Sequence, residues 1–157
     1  MIMALKSDRY EFQTDISFFC NTALDRGLVV VYNTGTGTGA AMDQGAAVVV
    51  AEVGDTDSVP AGFLLNDVVD KDLTRTHLNQ HKDEVQKGGK VTVLRKGYVV
   101  TDAIESGVDP IVGSPAYLSA SEAGKLAITG ASDNLLVGRF LSAKDGDNYC
   151  KVEVNLP

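Results

Sequence analysis

Two histidines, His77 and His81, stand four positions apart, the spacing that sets two imidazoles on one helical face. A zinc site of that kind needs a glutamate directly after the first histidine and a third ligand nearby. Leu78 occupies that place, and the carboxylates Asp83 and Glu84 lie between Lys82 and Lys87, which reads as an ion-paired surface. Gly35, Gly37 and Gly39 alternate with threonines and invite comparison with a phosphate-binding loop. A dinucleotide fingerprint needs two further residues before its last glycine and a helix after it, and a phosphate loop needs Gly-Lys-Ser/Thr. Neither follows; more turn residues and a strand-like run do. Asp145-Gly146-Asp147-Asn148 is a turn sequence, with too few oxygens at alternating positions for a calcium loop. Since both histidines sit in the charged connection, no Ser or Cys has a base marked beside it. The expectation is a protein that is not an enzyme, with no catalytic residue, no metal and no cofactor.

Composition narrows the remaining classes. The 157 residues suit one domain with a real core, and 44% hydrophobic against 22% charged is a globular balance. Sixteen glycines and no tryptophan point to many turns around a core of Val, Leu, Ile and Ala. A net charge of −7 repels nucleic acid and anionic membranes at long range, so neither is an expected partner. Cys20 and Cys150 are isolated, the pattern of buried, reduced thiols. The first residues lack the apolar core of a signal peptide and no apolar run reaches membrane-spanning length, so synthesis in a cytoplasm is expected.

The elements that would position any site are strands. The organising stretch is KGGKVTVLRKGYVVTDAI, residues 87–104. Gly88-Gly89 and Lys96-Gly97 punctuate it, which predicts a tight hairpin with Val91 and Val93 facing the core. Buried strands are predicted at 28–32 and 45–53, one or two more at 61–69, and others at 116–119, 125–129 and 135–141, where Gly138 marks a bulge or close approach. The Asp145-Gly146 turn leads into YCKVEVNL, residues 149–156. It alternates with Tyr149, Lys151, Glu153 and Asn155 on one face and Cys150, Val152, Val154 and Leu156 on the other. Short strands every 8 to 12 residues without an amphipathic helix argue for an all-β fold, a small barrel or sandwich of short antiparallel strands with an extended N-terminal arm. The expected division is an arm over residues 1–20 and a β-domain over 21–157. In the arm Tyr10, Phe12, Phe18 and Phe19 stand among charges. Such aromatics either pack on their own domain or dock on a neighbouring subunit, and they are the candidate contact residues.

The segments HLNQHKDEVQKGGKVTVLRKGYVVTDAI, VGSPAYLSASEAGKLAITG and VGRFLSAKDGDNYCKVEVNLP carry a resemblance. Their shared pattern is Gly89, Val91, Val93, Gly97 and Val99, then a Val-Gly turn before Ala116-Tyr117-Leu118, then Val137-Gly138-Arg139-Phe140, and a last strand over Val152 to Leu156. It resembles the small β-rich decoration or cement proteins of tailed-bacteriophage capsids over about residues 60–157. That resemblance implies a structural virion protein, made in the host cytoplasm, on the outside of the icosahedral shell. It would stabilise the capsid by bridging major capsid protein subunits, as a homotrimer, without an active site. The alternative is a head fibre or receptor- or glycan-binding virion module, for which Tyr98, Tyr117 and Tyr149 are the available aromatics.

Overall fold

A computed structural model describes residues 5–6, 9–33, 48–70, 84–131 and 135–157. The His77/His81 pair and the Gly35–Gly39 loop lie outside the described residues.

The chain folds around β7, Lys90–Thr101, a strand of 12 residues. The hairpin expected inside this stretch does not form: the chain runs straight through Lys96-Gly97. Gly97 has φ +143°, and a Cβ there would collide with the backbone carbonyl of Tyr10. The glycine admits a crossing strand where composition implied a turn. That strand is β1, Tyr10–Phe19, antiparallel to β7 from Tyr10↔Tyr98 to Phe19↔Lys90.

Register fixes the topology. On β7, Leu94 pairs with Phe63 of β4 (Pro60–Leu64) as well as with β1, and Tyr98 pairs with Glu153 of β11 (Cys150–Asn155) as well as with β1. One edge of β7 is therefore lined by β1, while the other is shared by β4 near its start and β11 near its end. From β4 the sheet continues through β2 (Val29–Tyr32) to β3 (Val49–Val50). From β11 it continues through β10 (Leu136–Phe140) and β8 (Pro115–Leu118) to β9 (Leu126–Ala127). All these pairings are antiparallel, and the sheet curls into a half-barrel, as the all-β reading required. A separate parallel pair, β5 (Asp67–Val69) and β6 (Glu84–Gln86), stands beside it.

Two cores form because β7 is covered on both faces, adjacent Val93 and Leu94 pointing to opposite sides. Val91 and Val93 join Phe18, Val30, Leu64 and Val68, whereas Leu94 and Val99 join Phe63, Leu118, Phe140 and Val152. Leu94 and Val99 are an odd number of residues apart, so an unbroken pleat would have set them on opposite faces. The pleat slips between them, beside Gly97. Cys20 and Cys150 are buried in different cores, which keeps the two free thiols apart.

The turns have local causes. Pro115 opens β8, where a missing N–H costs no interior ladder bond. Gly113, at φ +89°, closes a turn in which Ser114 N donates to Ile111 O at 3.0 Å. The Asp145 turn forms as expected, with Asp145 N donating to Tyr149 O at 2.9 Å. Its left-handed residue is Asn148, at φ +66°, rather than the glycine of the turn, Gly146.

Candidate functional site

The four aromatics of the N-terminal segment separate into two pairs. Phe18 is 8% exposed, packed in the second core with its ring 5.5 Å from that of Tyr32. Phe19 is half-buried, with the Lys90 ammonium 5.4 Å from its ring centroid. Tyr10 and Phe12 face outward, 53% and 70% exposed. The segment that carries them is held at both ends. Leu5 is buried in the first core, Lys6 N donates to Val100 O at 2.9 Å, and the Lys6 ammonium reaches Asp145 at 3.1 Å. At the other end Cys20 N donates to Gly89 O at 3.2 Å, and Gly88 N donates to Cys20 O at 2.8 Å.

Phe12 is exposed for a reason that begins at Gly97. The register passes from Glu11↔Gly97 to Gln13↔Lys96, so Phe12 is the extra residue of a bulge. A bulge re-aims the side chain it carries, and this one turns a phenylalanine to solvent beside the exposed face of β7.

That face holds a hollow of about 350 Å³. Tyr10, Phe12 and Leu141 give it apolar walls, and Lys96, Glu153 and Asn155 give it polar ones. A second hollow of about 250 Å³ shares Glu153 and Asn155 and extends to Leu136 and Arg139. Together they form a groove across β1, β7, β11 and β10. The register sets Tyr10, Tyr98, Glu153 and Arg139 in one row across these strands. Strands about 4.8 Å apart make that row about 14 Å long. Gly138 lies on the groove's β10 side, where a Cβ would strike the Glu153 carbonyl, so the close approach expected of it is present.

The groove's charge differs from that of the chain. Lys96 and Arg139 line it, and Lys151 sits over the Tyr98 ring at 3.9 Å, against one carboxylate, Glu153. Among the described residues neither Lys96 nor Arg139 has an ion-pair partner. The tyrosines offered for a glycan already have ring neighbours. Tyr98 stacks on Tyr10 at 5.8 Å besides carrying Lys151, Tyr117 packs on the first core, and Tyr149 lies 4.3 Å from the Lys6 ammonium.

Sequence reading placed Lys151, Glu153 and Asn155 on the outer face of the last strand, where the structure has them. It missed the contributions of Lys96, Leu136, Arg139 and Leu141, because only the pairing of distant strands brings them to Tyr10 and Phe12.

No curated protein matches the chain by sequence. The family described as "Structural cement protein (E217 gp24/Pam3 gp6)" matches residues 10–155, which takes in every strand from β1 to β11. A match over nearly the whole chain, on an all-β scaffold, shows the family: the chain is a member of the structural cement protein family of phage capsids.

Proposed function

We propose that this protein binds the outer surface of an assembled phage capsid and stabilises it by bridging major capsid protein subunits. It is made in the host cytoplasm and acts as a homotrimer without catalytic activity. The family membership supports a structural capsid component. The single observation that carries the bridging reading is the outward pair Tyr10 and Phe12 on a strand anchored at both ends. Large aromatics already fixed in place lose little freedom on docking, which is why they concentrate binding energy at interfaces. Residues 1–20 are the docking segment in this reading. Tyr10 and Phe12 meet the capsid, while Phe18 and Phe19 hold the segment to the β-domain.

A lattice multiplies weak contacts, so one modest site per copy is enough to hold a cement protein that touches several subunits. The test is cosedimentation of the full chain with undecorated capsids, beside the solution mass from light scattering. Saturable binding at a fixed ratio by a species of three 16.6 kDa chains is expected. Tyr10→Ser with Phe12→Ser should lower the affinity at least tenfold without altering the fold. Wild-type protein that stays in the supernatant at every concentration refutes the capsid reading, and a monomeric or dimeric mass refutes the trimer. Deleting residues 1–20 is a poorer test, because it strips Leu5, Phe18 and Cys20 from the cores.

A further inference from the structure

We propose that the groove across β1, β7, β11 and β10 receives an extended acidic segment of the capsid shell protein, with its carboxylates set against Lys96 and Arg139. The inference rests on the capsid-binding reading and adds the chemistry of the partner.

Charge is the first reason. The chain carries −7 overall, yet the charged residues that line this groove are Lys96 and Arg139 against Glu153 alone. Several cations elsewhere among the described residues are ion-paired: Lys6 with Asp145, Arg95 with Asp15, Lys125 with Glu122 and Lys144 with Asp109. Lys96 and Arg139 have no such partner among the described residues. Two cations left unpaired in an acidic protein attract a carboxylate-bearing surface, and they steer its approach.

Shape is the second reason. The row from Tyr10 to Arg139 crosses four strands, about 14 Å, the reach of four or five extended residues at about 3.3 Å each. The apolar end at Tyr10, Phe12 and Leu141 suits one hydrophobic side chain, and the middle of the groove offers Asn155 to a backbone amide or carbonyl. A second copy of this chain is the competing occupant, and the solution mass of the groove variant tells the two apart.

The experiment compares three full-length proteins for binding to undecorated capsids from about 0.05 to 0.5 M salt. They are the wild type, the groove variant Lys96→Glu with Arg139→Glu, and a control, Lys87→Glu with Lys125→Glu, whose change in net charge is the same. Thermal melts and light scattering accompany each. The expected result is a groove variant bound at least tenfold more weakly than the control at low salt, with a flatter salt dependence and an unchanged melt and mass. Equal losses in the two variants overturn the proposal, because long-range charge alone would then account for both. A groove variant that binds capsids normally but changes its solution mass also overturns it, since the occupant would be a second copy. Wild-type protein that never binds capsids brings down the functional reading and this inference together.

Discussion

Gly97 joins the fold to the groove, and its replacement by alanine tests both. Three glycines separate the causes. Gly146 has ordinary backbone angles and open space around the place of a Cβ. Gly107 has φ +80° and the same open space, so it isolates the backbone cost. Gly97 adds to its φ of +143° a collision with the carbonyl of Tyr10. Gly146→Ala is expected to stay within about 0.5 kcal/mol of wild type. Gly107→Ala should cost about 1–2 kcal/mol, the penalty for a side chain in the left-handed region. Gly97→Ala combines a backbone penalty of about 1–3 kcal/mol with an overpacking penalty of about 1–3 kcal/mol, for a total of about 2–6 kcal/mol.

Urea denaturation reads these differences. With a slope of about 2 kcal/mol per molar, the midpoint should fall by about 1–3 M for Gly97→Ala, by about 0.5–1 M for Gly107→Ala, and hardly at all for Gly146→Ala. Native-state hydrogen exchange locates the damage. Amides of β1 should exchange faster in Gly97→Ala while those between β10 and β11 keep their protection. Should Gly97→Ala match Gly107→Ala in midpoint and leave β1 protected, the crossing of β1 over Gly97 is wrong, and the bulge that exposes Phe12 has lost its cause.

Other expectations follow from single side chains. Phe18→Ala should cost about 3–5 kcal/mol by emptying part of the second core, whereas Phe12→Ala should stay within about 0.5 kcal/mol in the same denaturation assay; a reversed order refutes their assignment to inside and outside. The hydrogen bond from Lys125, with further ones from Ser106, pulls the Glu122 carboxyl from its ordinary 4.5 to about 2. A depressed carboxyl stabilises the fold fully above its unfolded value and loses that contribution as the pH falls through the folded one. Glu122→Gln should therefore flatten the stability profile between about pH 4.5 and 2, and an unchanged slope there counts against the Lys125 contact. Burial pushes the Cys150 thiol up to about 11 and raises that of Cys20 as well. A thiol reagent at pH 8 should label neither until denaturant is added, and rapid labelling of the native protein would contradict their burial.

What the sequence disclosed depended on how local the cause was. The last strand was legible because its alternation is complete within itself: Cys150, Val152 and Val154 are buried, and Lys151, Glu153 and Asn155 turn outward. Gly138 was legible for a similar reason, since a glycine within a strand run has few explanations other than a bulge or a close approach. Gly97 misled because Lys-Gly is the composition of a turn, while its actual reason, the Tyr10 carbonyl, lies far away in sequence. In the Asp145 turn the positive φ went to Asn148, a residue that tolerates it nearly as well as glycine, so composition placed the turn but not its strained position. The N-terminal aromatics were recognised as a group. Their division into two inward and two outward rings needed the register of β1, which no local pattern encodes.

The way β1 is bound also bears on how it meets a partner. An arm could in principle add itself as a strand to a sheet of the capsid protein, with its backbone supplying the ladder. Here one edge of β1 is already occupied along β7, and its pairing is broken at three places: after Glu11, after Gln13 and after Asp15. At the last of these Asp15 takes the Ser17 amide at 2.8 Å, so a backbone donor is satisfied within the strand itself. Bulges and self-satisfied amides are devices that blunt an edge against further pairing. The side chains tell the opposite story, since Tyr10, Phe12 and Ile16 stay open to solvent. A strand that closes its backbone and exposes its aromatics favours recognition through side chains. That is why the groove beside Phe12, rather than the free edge of β1, is the feature on which docking turns.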